Sequence, residues 1–205
     1  MMGEIRTAVY PAPTVCRHEI LRYAGTREAD AATGVLIDEC EALVRGQLSY
    51  RVAYAEFSIR ATDAGLDLGF AVTDSRDLAR ALWGCERIVL FGATVGLALD
   101  RLVARYTALS PAKGLILDAI GTAHAEALCD LFCAELAEKY AKEGRRLRPR
   151  FSPGYGDLPL EMQKSVASAL NLSRTVGITL NESLLMLPRK SVTAIVGILS
   201  EKESL

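Results

Sequence analysis

Apolar residues recur along this chain in two rhythms, and the points where the rhythm changes mark its elements. The segment HEILRYAG (18–25) reads as a short helix closed by Gly25, and 27–46 as a second helix closed by Gly46. SYRVAYAEFSIRA (49–61) has strand composition, but its apolar side switches partway. Tyr50, Val52 and Tyr54 fall on one side and Ala55, Phe57 and Ile59 on the other, which predicts a bulge near Glu56. LDLGFAVT (66–73) alternates cleanly, with Leu66, Leu68, Phe70 and Val72 inward, so the two segments predict an antiparallel hairpin.

Further on, SRDLARALWG (75–84) predicts a helix capped by Ser75. RIVLFGAT (87–94) is a continuous apolar run, the mark of a central strand covered on both faces. The period then changes. Val95, Leu99, Leu102, Val103 and Tyr106 share one helical face, Pro111 and Gly114 interrupt it, and a long helix follows over 115–142 with Gly144 as its stop. PLEMQKSVASALNLS (159–173) predicts another helix, with Asp157 as its cap and Pro159 in its first turn. SLLMLP (183–188) and SVTAIVGIL (191–199) read as strands. Strands mixed irregularly with helices, without regular βαβ units, predict an α+β fold with a central antiparallel sheet and flanking helices. The expected layout is one domain over 1–205, with a helical part at 1–46 and an α+β core at 47–205.

Composition narrows the function classes. The chain has 205 residues, 50% hydrophobic and 24% charged, with a formal net charge of -1. That balance lacks the basic excess of a phosphate-tracking protein, so no nucleic-acid partner is expected. Neither a long apolar run nor a signal-peptide core is present, so the expected setting is cytoplasmic, away from membranes. Five cysteines in a chain with a full-sized core read as reduced, buried thiols. Cys129 and Cys133 share a helix face, but position 136 is Leu136 where a cluster motif needs a third cysteine. With His18 and His124 the only histidines, no metal site is expected.

The segment RPRFSPGYGDLP (148–159) stands apart from its helical surroundings. Pro149 and Pro153 restrict the backbone on either side of Arg150, whose planar guanidinium fits a carboxylate bidentately. Gly154 and Gly156 permit close backbone approach, and Tyr155 offers a flat face with a hydroxyl. Two readings are open: a carboxylate clamp for an amino-acid-like ligand bearing a ring, or an exposed loop whose arginine pairs with a nearby acid. On the long helix Thr122, Glu126, Cys129 and Cys133 share a stripe, and Asp118, His124 and Asp130 interrupt apolar surface. These residues mark a carboxylate facing a cleft, or the helix's solvated side. FGATVG (91–96) lacks the spacing of a nucleotide loop. No set of residues forms a self-contained catalytic apparatus.

At RFSPGYGDLP the chain resembles the activation (S-adenosylmethionine-binding) domain of cobalamin-dependent methionine synthase. Arg150, Gly154 and Tyr155 match that family's R-x-x-x-G-Y signature, and Pro159 a proline beyond it. LNESLLMLPRKSV (180–192) is similar to a second family segment through Glu182, Ser183, Met186, Pro188, Ser191 and Val192. The stretches FGATVGLALDRLVARY and LDAIGTAHAEALCD resemble the part preceding the signature. The resemblance implies a curved, helmet-shaped α+β domain that binds S-adenosylmethionine. It implies that Arg150 holds the methionyl carboxylate, Ser152 and Gly154 give backbone contacts and Tyr155 lines the ligand. The family's helix acid falls at Asp130, with Glu126 one turn away as the alternative. GDL (156–158) and AIVGI (194–198) depart from the family pattern, which has small residues with proline and cysteine in the first stretch and aromatic residues in the second. The homocysteine, folate and cobalamin modules have no counterpart in the sequence. The implied role is a separate activation subunit serving a cobalamin-binding methionine synthase or another corrinoid protein, with cobalamin carried by that partner and a flavodoxin-like electron donor. A diverged interaction module without ligand binding is the non-enzymatic alternative.

Overall fold

A computed structural model of the chain describes residues 3–199 apart from 27 and 29. It opens with β1 (Arg6–Tyr10), α1 (Arg17–Tyr23), α2 (Ala31–Val44) and β2 (Tyr50–Ser58). Three short strands follow, β3 (Arg60–Thr62), β4 (Gly65–Asp67) and β5 (Val72–Thr73), then α3 (Arg76–Ala81) and β6 (Cys85–Thr94). Next come α4 (Ala98–Leu109), α5 (Pro111–Ala141), α6 (Met162–Ala169) and α7 (Leu172–Thr175). The last strands are β7 (Thr179–Leu180), β8 (Met186–Leu187) and β9 (Ser191–Leu199). The architecture is α+β around an antiparallel sheet of order β1-β2-β6-β9.

Both faces of this sheet are covered, and the alternation of each strand divides its side chains between two cores. Val89, Phe91 and Ala93 of β6 join Ala194, Val196 and Ile198 of β9 under α1, α2, α4 and α5. Ile88, Leu90 and Ile195 face the other way, against α3, α6, α7 and Leu68. The expected bulge at Glu56 is corrected by the same arrangement. β2 pairs with β6 in unbroken register from Arg51↔Thr94 to Ser58↔Arg87. Tyr50 and Val52 enter the first core while Ala53, Ala55 and Phe57 enter the second, so the apparent switch of face is burial on both faces. The register shift lies instead in β6, between Cys85 and Arg87.

Other expectations change in detail. The expected hairpin forms only at its turn, where Arg60↔Asp67 and Ala61↔Leu66 pair antiparallel in a separate small sheet, β3-β4-β5; β2 itself does not pair with 66–73, and Val72 is exposed. The expected helical start misses β1, which pairs antiparallel with β2; the beginning of the expected second helix, at 27 and 29, falls outside the described residues. Ser75 caps α3 as expected, accepting from Leu78 N at 3.0 Å. Pro111 marks the break between α4 and α5 as expected, and opens α5 at its first position, where a missing N–H costs nothing. Gly114 lies inside α5 and lets it pack closely on α4, since a Cβ there would run into the backbone of Thr107. No described helix is long and apolar enough to cross a membrane.

Candidate functional site

The edge strand β9 builds the site. The chain returns along it after α5, with Arg148 N–H donating to Gly197 O at 2.8 Å, and Phe151 and Ile195 exchanging two bonds of 2.8 Å. Pro149 lies between these bridges, where no N–H is needed. Beyond Phe151 the ladder stops: Pro153 has no N–H to extend it, and Gly154 (φ +89°) and Gly156 (φ +53°) turn the chain outward. Ser191–Thr193 are thereby left without a strand on that side among the described residues. Backbone alternation carries the N–H and C=O of Thr193 to the same open edge as those of Ile195. A cleft of about 400 Å³ opens there, walled by Glu126, Arg150, Ser152, Tyr155, Gln163 and Met186 among others.

A stripe on α5 fixes both loops that flank the cleft. Asp118, Thr122, Glu126 and Asp130 stand four apart, one above another on a helix. The upper pair holds Lys190, whose Nζ lies 2.8 Å from Thr122 Oγ1 and 2.9 Å from Asp118 Oδ2. The lower pair holds Arg150, whose Nη2 donates to Glu126 Oε2 at 2.7 Å and Asp130 Oδ1 at 3.0 Å. Asp100 adds a third tie by accepting from Arg189 N at 2.9 Å. Burial works against the charge of Arg150, but its hydrogen bond to Glu126 and the nearby negative charge outweigh it and raise its pKa. Both acids use the one nitrogen Nη2, so Nε and Nη1 keep donors without a partner among the described residues.

The site residues expected from sequence divide as follows. Arg150, Ser152, Tyr155 and Glu126 line the cleft, with Tyr155 68% exposed at its mouth. Asp130 grips Arg150 from outside with a largely exposed carboxylate. Gly154 gives the loop its turn, and its N–H is taken by Leu158 O at 2.9 Å rather than left for a ligand. Asp157 does not cap α6. Its carboxylate accepts from Ser75 Oγ, from Arg76 N at 2.8 Å and from Asp77 N at 3.2 Å, so it caps α3 and ties the loop to it. Of the second motif, Met186, Ser191 and Val192 reach the cleft, while Glu182 and Ser183 are exposed away from it.

Phe151, Gln163 and Thr193 also line the cleft and escaped the sequence reading. Gln163 sits beside Lys164 in a helix of mixed polarity, which reads as a solvated face, and only the tertiary fold buries it. A second, larger cleft of about 630 Å³ lies beside β1, lined by Tyr10, Tyr50 and His124 among others. Its central polar pair is closed on itself, with Tyr50 Oη and His124 Nδ1 3.1 Å apart. Burial lowers the pKa of His124 and pushes the Tyr50 hydroxyl up to about 12, so both stay neutral near pH 7. Burial likewise pushes the Cys129 thiol up to about 12 and raises Cys133, which leaves both unreactive.

No protein-family model and no curated protein matches the chain. Thirteen solved chains match its structure. One is described as the crystal structure of the MetH reactivation domain bound to AdoHcy, with a TM-score of 0.70 and 15% sequence identity. The match covers 95% of this chain and 78% of that one. The two share the α+β fold with its central antiparallel sheet and flanking helices.

Proposed function

We propose that this chain is an activation subunit that binds S-adenosylmethionine in the β9-edge cleft. There it serves the reductive remethylation of cob(II)alamin on a cobalamin-dependent methionine synthase without an activation domain of its own. The observation that carries the reading is the pairing of Arg150 with Glu126 inside a cleft, on the fold of a reactivation domain solved with AdoHcy. The residues fit the ligand. An amino-acid end carries a carboxylate and an ammonium, and this cleft offers a guanidinium and a carboxylate 2.7 Å apart to receive them. The cleft volume of about 400 Å³ lies within the usual range for small-molecule sites.

The partner's corrinoid and the ligand's sulfonium supply the chemistry: after one electron from a flavodoxin-like donor, the methyl group moves from sulfur to cobalt, leaving S-adenosylhomocysteine. The chain's own part is binding and orientation. Arg150 takes the ligand carboxylate on its open Nε and Nη1 donors, while Glu126 faces the ammonium. Asp130 holds the guanidinium in place from outside the cleft. Ser152 offers backbone, and Tyr155 covers the open side of the ligand while leaving the sulfonium accessible to a docked client. No group of the site is asked to transfer a proton.

The test is a reconstitution under reducing conditions with S-adenosylmethionine and a flavodoxin-type donor, following the cob(II)alamin absorbance. A cobalamin-bearing methionine synthase module and other purified corrinoid proteins serve as separate arms. Loss of the cob(II) signal only when the chain is present supports the role, and the responding arm identifies the client. The same rate with and without the chain in every arm rejects it.

A further inference from the structure

The charged end of the cleft comes from α5, on one face of the sheet, and its inner wall comes from α6, on the other. On that wall Gln163 is 6% exposed and Thr193 2% exposed. Thr193 Oγ1 donates to Gln163 Oε1 at 3.0 Å, which fixes the plane of the amide and occupies its oxygen. The amide nitrogen has no partner among the described residues, although the residue lines the cleft. The neighbouring hydroxyl is already committed, since Ser191 Oγ lies 2.9 Å from Thr94 Oγ1 and 2.7 Å from Pro188 O. The nitrogen is not among the buried side-chain atoms left without a partner, so it faces the open cleft, where a ligand can accept from it.

We infer that Gln163, oriented by Thr193, recognises the nucleobase of the ligand by donating from its amide nitrogen to a ring nitrogen of the base. The inference rests on the proposed S-adenosylmethionine reading, since Arg150 and Glu126 then consume the charged end and leave the neutral nucleoside to the neutral wall. Glutamine amides read adenine by donating to ring N7 and accepting from N6, and the open Gln163 nitrogen can supply the donor half of that pair. Thr193 takes one of the two lone pairs of the Gln163 oxygen, and the open amide nitrogen gives this wall its donor. It therefore accepts a base bearing an unprotonated ring nitrogen and gains nothing from a sugar without a base. Gln163 is on this account a specificity-determining residue.

The experiment titrates S-adenosylhomocysteine and S-ribosylhomocysteine, which lacks the base, into the wild-type chain and two variants, using ligand-observed NMR to reach weak affinities. Gln163→Met keeps the side chain's length without its donors, and Thr193→Val keeps the amide but frees its orientation. The expected result is about a tenfold loss of S-adenosylhomocysteine affinity for Gln163→Met, in line with one lost hydrogen bond in a buried site. Thr193→Val should show a smaller loss, and S-ribosylhomocysteine affinity should change less than about twofold in both. Unchanged S-adenosylhomocysteine affinity overturns the inference, and so does an equal loss for both ligands. If Gln163→Met does not fold, judged by its thermal transition, Thr193→Val decides by the same two criteria. A wild-type chain that binds neither ligand means instead that the proposed function fails.

Discussion

Arg150 is held by two carboxylates through a single nitrogen, and that geometry joins both readings of its loop. The arginine pairs with nearby acids and also lines a cleft with donors to spare. Its side chain is 27% exposed, so the pair is screened less than a surface ion pair. Arg150→Ala is expected to lower S-adenosylmethionine affinity by about 30-fold or more, the scale for removing one partner of a largely desolvated charge pair. It also leaves Glu126 and Asp130 one turn apart without their cation. Arg150→Lys is not expected to restore binding, because an ammonium lacks the planar fork. Calorimetric titration of both variants checks this, and wild-type affinity in Arg150→Ala would remove the clamp from the account.

At the scale of elements, the loop over 148–158 is held from three directions. β9 takes its first part through Arg148 and Phe151, α5 takes Arg150, and α3 takes Asp157. Gly156 sits so close to Asp77 that a side chain there would collide with it. Asp157 belongs to GDL, where the chain leaves the pattern of the family it resembles, and it links the loop to a helix on the second face of the sheet. Asp157→Ala is expected to speed amide exchange across 152–158 and to weaken S-adenosylmethionine binding several-fold, with the main sheet's exchange unchanged. Wild-type exchange in the loop would show that α3 does not restrain it.

Some of these elements were legible in the sequence and others were not, for physical reasons. The continuous apolar run of β6 and the long period of α5 were plain because burial dictates them directly. β1 was missed because an edge strand with mostly exposed residues, RTAVY, carries little pattern. β2 was misread because two covered faces erase the alternation on which a strand is recognised. In the site, Arg150 and Tyr155 were visible because prolines and glycines set them apart from their helical neighbours. Glu126 stands out as part of a helix stripe and Asp118 as a polar interruption, but their partners Arg150 and Lys190 lie 24 and 72 positions away, beyond any local pattern. Gln163 and Thr193 gave no signal at all, since their role comes from the meeting of α6 with β9.

For the whole molecule, a sheet covered on both faces has its edges left for ligands, and one cleft lies at each edge. The β9 edge carries the guanidinium, the acid and the aromatic wall, whereas the β1 edge carries a neutral tyrosine–histidine pair. The β9 cleft is where the proposed ligand is placed, and a reactivation domain that shares the fold was solved with AdoHcy. The most direct test is isothermal titration of the purified chain with S-adenosylmethionine. The account predicts saturable binding at one site. No heat of binding even at millimolar ligand, with a partner's cobalamin module present, would contradict it.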